Sequence, residues 1–309
     1  MNKSIDTFFI TGFLGSGKTT LLNQLLDQLC GKKTGVIVNE FGQVGVDKTL
    51  IPENEFGIVE LNNGQIFCSC LVGNFVKAMI AYSKLPIDYL LVETSGLALP
   101  STLNNVLETV EKHTSGRINY RGMTCVVDTV EFPNLIDVLK PVEEQIITSR
   151  IAVINKTDLA DASVVTEIEK KLKEINPGLM IYKTSYGAIP IKLLTEQAEM
   201  GDYGAVLPRK VTAAYSRPET CLIRPSGPVP KETLRKYLCS ISCETYRIKG
   251  FLDTGSSWVL VDTVGTNIQI KDTGRREEGF GALNIILKSG KALSSWVMET
   301  WNQLVEETL

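Results

Sequence analysis

The residues most able to do chemistry stand together near the start: Gly12-Phe13-Leu14-Gly15-Ser16-Gly17-Lys18-Thr19, followed by Thr20. Two glycines flanking four residues, then lysine and a hydroxyl side chain, is a phosphate-cradling pattern. Glycines at 12, 15 and 17 let backbone N–H groups turn inward around phosphates, and a helix beginning at the lysine adds its dipole. Lys18 reaches β- and γ-phosphates, and the Thr19 hydroxyl ligates Mg²⁺. A second constellation, Asn155-Lys156-Thr157-Asp158, follows an apolar run. A carboxylate there accepts two hydrogen bonds from guanine, through its ring N–H and its exocyclic amine. Adenine lacks that amine, and a site built to bond a missing group rejects the analogue by about 10⁴–10⁵. Lys156 packs its stem over the base plane, Asn155 ties the loop together, and Thr184-Ser185 complete the base pocket through backbone N–H groups.

Between these lies Glu93-Thr94-Ser95-Gly96. Glu93 can hold Mg²⁺ through a water while the Gly96 N–H meets a γ-phosphate. Glu40 and Asp47 are candidate magnesium or water-positioning groups. No glutamine follows Gly96 to orient an attacking water, so slow intrinsic hydrolysis is expected, accelerated by a partner or a dimer contact.

These motifs need elements to hold them. Short β-branched runs at 8–11, 35–38, 89–93, 124–127, 151–154 and 180–183 predict strands, and helical periodicity marks 19–29, 73–83, 102–112 and 163–175. Such alternation predicts an α/β domain with a mostly parallel sheet and helices on both faces. Each motif then follows the carboxyl end of a strand, where ligands bind in this architecture. Prolines at 208, 218, 225 and 228 punctuate a linker expected over 206–226, which separates a domain at 1–205 from a smaller α+β domain at 227–309. In the latter, a helix is expected at 231–240, strands at 245–252, 258–263, 267–271 and 284–287, and a helix from 291. That last helix spaces Leu293, Trp296, Val297, Trp301, Leu304 and Val305 as a core stripe.

A net charge of −3, without a Lys/Arg-rich run, argues against nucleic-acid binding. No apolar stretch approaches the roughly 20 residues that cross a bilayer, and the opening residues do not read as a signal peptide. A cytoplasmic location is therefore expected, with the seven cysteines reduced.

The chain resembles the CobW-like family of P-loop GTPases, relatives of the GTPases that deliver nickel to hydrogenase and urease. The resemblance rests on residues 12–20, on Val38-Asn39-Glu40-Phe41-Gly42 with Asp47, on Glu60-Leu61-Asn62-Asn63-Gly64, on Glu93-Thr94-Ser95-Gly96-Leu97-Ala98 and on Asn155-Lys156-Thr157-Asp158. It implies a GTP-hydrolysing accessory protein that delivers a metal or metallocofactor (zinc, cobalt or a corrinoid) to a client protein, with a homodimer among its assemblies. It also implies that the loop of Glu40 and Asp47 is the first switch. Where the family carries Cys-x-Cys-Cys, this chain has Gln65-Ile66-Phe67-Cys68 and then Ser69-Cys70. Two thiolates do not complete a tetrahedral zinc site. Cys68 and Cys70 read either as packed thiols near the nucleotide or as a soft-metal transfer site completed by other ligands. The alternative function is a metal-free switch whose nucleotide state gates a partner protein; a small-molecule kinase is the third reading. Cys239 and Cys243 are expected to pack, and His113 to be a surface side chain.

Overall fold

The computed structural model describes residues 3–39, 57–61, 72–96, 103–196, 218–273, 279–288 and 293–305. Glu40, Asp47, Cys68 and Cys70 lie outside the described residues. Two compact units emerge, dividing between Ser216 and Arg217.

The first unit is built on seven strands: β1 Ile5–Gly12, β2 Thr34–Asn39, β3 Gly57–Leu61, β4 Tyr89–Glu93, β5 Ile118–Asp128, β6 Ile151–Asn155 and β7 Met180–Lys183. Their spatial order is β3-β2-β4-β1-β5-β6-β7, and every pairing is parallel. Parallel neighbours need long crossovers. The helices α1 Lys18–Gln28, α2 Val72–Ser83, α3 Leu103–Thr114, α4 Phe132–Leu135, α5 Lys140–Ile147, α6 Ala162–Ile175 and α7 Lys192–Thr195 lie between the strands or after β7.

Period-two alternation divides the core into two layers. On β1, Ile5 and Phe9 join Ile37, Leu90 and Val92 in a cluster under α2 and α3. Phe8 and Ile10 point the other way, to Leu21, Leu22 and Leu25 of α1. Neighbouring residues of one strand thus serve opposite faces, so the buried strands read as continuous apolar runs. Burying a side chain such as Phe8 or Phe9 is worth about 1.5–3 kcal/mol.

β5 is longer than its apolar stretch suggested. Its first half, Ile118 to Arg121, is partly polar, yet it pairs with Ile5 to Thr7. Asn119 donates to Asp6 at 2.9 Å and Arg121 lies 3.4 Å from the same carboxylate. Helix α5 has no counterpart among the expected elements. Pro141 sits in its first turn, where a missing N–H costs nothing. Three successive polar residues, Glu143, Glu144 and Gln145, are buried on it, which hides any amphipathic pattern.

The second unit is a five-stranded antiparallel sheet in the order β11-β10-β9-β12-β8. Its strands are β8 Thr220–Ile223, β9 Thr245–Asp253, β10 Trp258–Val264, β11 Asn267–Thr273 and β12 Gly281–Leu287, with helices α8 Lys231–Ile241 and α9 Leu293–Leu304. β8 falls inside the stretch read from its prolines as linker. Leu234, Tyr237, Leu238 and Ile241 of α8 meet Val297 and Trp301 of α9 over the sheet. Tyr237 and Trp301 make an edge-to-face contact at 4.9 Å. Of the expected stripe on the last helix, Val297, Trp301 and Val305 are buried, whereas Leu304 is exposed. Cys239 and Cys243, expected to pack, are also exposed. Among the described residues, no helix is long and apolar enough to cross a membrane.

Candidate nucleotide site

Strand register gathers the functional residues along one edge of the first sheet. Gly12 lies opposite Val126, Ile10 opposite Glu93, and Asp128 opposite Asn155. The carboxyl ends of β1, β4, β5 and β6 therefore open onto a common rim, and the loop after β7 joins them.

Between β1 and α1 the chain turns through residues 12–17, with Gly12, Gly15 and Gly17 at φ of 138°, 74° and 103°. Side-chain-bearing residues rarely adopt those values. Gly17 has a second constraint, because a Cβ there would collide with the Asn155 side-chain amide. α1 begins at Lys18 with no acidic residue in its first turn, so the positive end of its dipole faces the loop uncompensated. Lys18 Nζ donates to the Phe13 carbonyl at 3.0 Å, spanning the loop. Ser16 is fully buried, and its hydroxyl has no hydrogen-bond partner among the described residues. A glycine-rich loop at a helix N-terminus, a buried lysine and an unsatisfied hydroxyl fit a polyphosphate. Thr20, in the first turn of the helix, is exposed.

The Thr19 hydroxyl donates to Glu93 Oε1 at 3.0 Å, and Glu93 is buried at the end of β4. An all-oxygen pair beside a phosphate cradle fits a hard divalent cation such as Mg²⁺. Gly96 follows two residues after the buried Thr94, whose N–H bonds the Ile10 carbonyl. A Cβ on Gly96 would come within 2.7 Å of the Leu14 backbone nitrogen, so this turn presses directly on the phosphate loop.

Asn155 joins the loop after β1 to the loop after β7. Its Nδ2 donates to the Ser16 carbonyl at 2.9 Å, and its Oδ1 accepts from the Gly187 N–H at 3.0 Å. Lys156 has φ of 62°, and its ammonium pairs with buried Asp128 at 2.5 Å. The Thr129 hydroxyl holds the Lys156 carbonyl at 2.7 Å. Asp158 is exposed at the rim, its N–H donating to Ser185 Oγ at 3.3 Å. Thr157 binds both the Thr184 carbonyl and Ser185 Oγ at 3.1 Å. Thr184 in turn bonds Ala188 at 2.6 Å, so the two loops form one braced surface. Leu159, next to Asp158 in sequence, and Tyr186, next to Ser185, stand exposed on it.

Three contributors went unread in the sequence. Asp128, which holds Lys156, had a signal in being the acid that ends a buried strand. Gly187, the partner of Asn155, has φ of 65°, and a Cβ there would lie 2.8 Å from the Leu21 nitrogen. Gln145, which donates to the Gly96 carbonyl at 3.2 Å, had no local signal.

The chain is similar to several known proteins. The family described as CobW/HypB/UreG, nucleotide-binding domain, matches residues 6–183. The zinc chaperone CobW of Sinorhizobium is 36% identical over 191 residues, covering 52% of this chain and 52% of its own length. The zinc-regulated GTPase metalloprotein activator 1 of Dictyostelium discoideum is 29% identical over 225 residues, covering 59% of this chain and 46% of its own. The matches thus span about half the length of these curated relatives. The crystal structure of Zn(II)-bound YjiA GTPase from E. coli shares the fold at a TM-score of 0.50, with 20% identity over 98% of this chain and 99% of that one.

Proposed function

We propose that this chain, which belongs to the CobW/HypB/UreG nucleotide-binding family, is a GTP-binding and GTP-hydrolysing accessory protein that couples nucleotide state to metal delivery. The observation that carries the nucleotide reading is the Asn155 side chain, bonded at once to the phosphate loop and to the loop beside Asp158. A phosphate cradle and a base-reading carboxylate joined through one buried amide suit a nucleotide with both parts.

The loop amides at Gly15, Ser16 and Gly17 and the Lys18 ammonium would hold the phosphates. The Gly96 N–H would meet the γ-phosphate, and Asp158 would accept from guanine while Leu159 and Tyr186 flank the ring. Thr19 and Glu93 would hold Mg²⁺, which when bound neutralises phosphate charge. Lys156, fixed by Asp128, would lay its stem on the base. Glu40 and Asp47 remain the proposed first-switch groups.

Delivery of zinc is the leading cargo reading, because relatives of this chain carry zinc in their names. The Cys68 and Cys70 thiolates are the proposed transfer ligands, with a client metalloprotein as partner. Cobalt or a corrinoid, and a metal-free switch acting on a partner protein, are the other outcomes of the test. GDP, a non-hydrolysable GTP analogue and ATP should be titrated first; binding of ATP equal to GTP overturns the guanine reading. Asp158→Asn should weaken GDP by roughly a hundredfold or more, since an amide donor then faces the guanine amine. Zn²⁺ and Co²⁺ titrations, with and without the GTP analogue, then decide the cargo. Nucleotide-dependent binding lost in Cys68→Ser/Cys70→Ser supports delivery, and its absence in both nucleotide states favours the switch. An isolated turnover above about 1 s⁻¹ would refute slow intrinsic hydrolysis, since the unassisted small-GTPase rate is far lower.

A further inference from the structure

Gln145 is 1% exposed on α5, 49 positions from the residue it serves. Its side-chain Nε2 donates to the Gly96 carbonyl at 3.2 Å. Gly96 has little room to move, because its Cα faces the Leu14 nitrogen so closely that one methyl would clash. Leu14 and Gln145 also line the same small cavity behind the phosphate loop. The carbonyl and N–H of one residue are separated by two soft dihedrals. With the Gly96 Cα also hemmed in by Leu14, a bond that fixes the carbonyl narrows where its N–H points.

The support is itself braced. The Gln145 carbonyl accepts the Ser149 hydroxyl at 2.6 Å and the Thr148 hydroxyl at 3.4 Å. Asn176 Nδ2 ties down the Ile146 carbonyl at 3.1 Å and the Ser149 carbonyl at 2.9 Å. Two residues after Ser149 the chain enters β6, which ends at Asn155. A hydrogen-bonded segment thus leads from the Gly96 turn to β6. A buried glutamine is not needed to fill an apolar core, and a leucine would fill similar space without the donor.

We propose that Gln145 is a positioning residue for γ-phosphate sensing: its amide holds the Gly96 carbonyl so that the Gly96 N–H is set for the terminal phosphate. The inference rests on the nucleotide reading above. Gln145 acts through Gly96 and does not touch nucleotide.

The test uses the full chain, wild type and the variants Gln145→Leu and Gln145→Glu, with Kd for GDP and for a non-hydrolysable GTP analogue, and with kcat and KM for GTP. In Gln145→Leu, GDP affinity should stay within about twofold while preference for the analogue and kcat both fall by about three- to tenfold, the weight of one hydrogen bond. Gln145→Glu should show the same loss at pH 8 and regain activity relative to wild type as pH falls toward 5, because a protonated carboxyl can donate again. Gln145→Leu should show no such recovery. Equal loss of GDP and analogue affinity, or a pH profile for Gln145→Glu that parallels wild type, overturns the proposal. If Gln145→Leu does not fold, the pH profile of Gln145→Glu decides alone. A wild type that binds neither nucleotide overturns the nucleotide reading itself, and this inference with it. Normal wild-type binding with unaltered variants overturns this inference alone.

Discussion

Replacing Asn155 by alanine should open the first unit and weaken nucleotide binding together. The side chain is 2% exposed and satisfies two groups, the Ser16 carbonyl at 2.9 Å and the Gly187 N–H at 3.0 Å. Ser16 is fully buried and Gly187 is buried, so neither group has an easy route to solvent. Stranding a buried polar group costs about 1–3 kcal/mol. A water entering the vacated space would recover part of this, which sets the expected total at roughly 2–4 kcal/mol. That is a large share of the roughly 5–15 kcal/mol available to a folded domain. Cys125 supplies the assay. It is 3% exposed in β5, and burial raises its thiol to about 12, against a smaller lowering by Lys18. Native labelling of Cys125 therefore requires opening. Its rate, read by peptide mass spectrometry, should rise about 30- to 700-fold in Asn155→Ala, at tenfold per 1.4 kcal/mol. Cys30, Cys239 and Cys243, all exposed, should label rapidly in both proteins and serve as internal references. Asn155→Asp should do no better, since one oxygen would still accept from Gly187 while the other faced the Ser16 carbonyl. A change in Cys125 labelling below about threefold, with GDP affinity intact, would refute the view that this side chain joins the two loops.

The second unit offers its own tests, and all three tryptophans of the chain (Trp258, Trp296 and Trp301) lie in it. Gly250 faces Leu283 across β9 and β12, and a Cβ there would run into the Ala282 carbonyl. Gly250→Ala should therefore destabilise this unit by roughly 1–3 kcal/mol as an overpacked site, read by tryptophan fluorescence in urea; an unchanged midpoint would contradict the close packing. For Asp262, burial pushes the carboxyl up, but Arg247 at 3.2 Å, with Lys249 and Lys271, outweighs it and leaves the group below its ordinary 3.8. A depressed folded value means that its stabilisation is complete well above pH 3.8 and is lost as pH falls through the lowered value. Asp262→Asn should lower stability at pH 7 and flatten the acid limb below pH 4, by the same fluorescence signal. A variant keeping the full wild-type acid limb would remove this carboxylate from the account.

The sequence by itself determined the parts of this protein that are local. Glycines at 12, 15 and 17 dictate the turn because their φ values exclude most other residues, whatever surrounds them. Strands β4 and β7 are legible to the residue because their apolar runs are short and sharply bounded. Asn155-Lys156-Thr157-Asp158 and Thr184-Ser185 are likewise contiguous, so their types and spacing can be read without the fold. Glu40, Asp47, Cys68 and Cys70 rest on sequence alone.

Tertiary structure decided the partnerships. Asn155 meets Ser16 across 139 positions, Lys156 meets Asp128 across 28, and Gln145 meets Gly96 across 49. Nothing in a linear pattern indexes such pairs, because crossovers set which strand ends lie side by side. β8 and the polar half of β5 were hidden for a related reason. Prolines suggested a linker, and polar residues blurred the alternation, but pairing with a preformed neighbour overrode both local preferences. The chemistry of each group is written in its own residue type. The company it keeps is set by the order of the sheet.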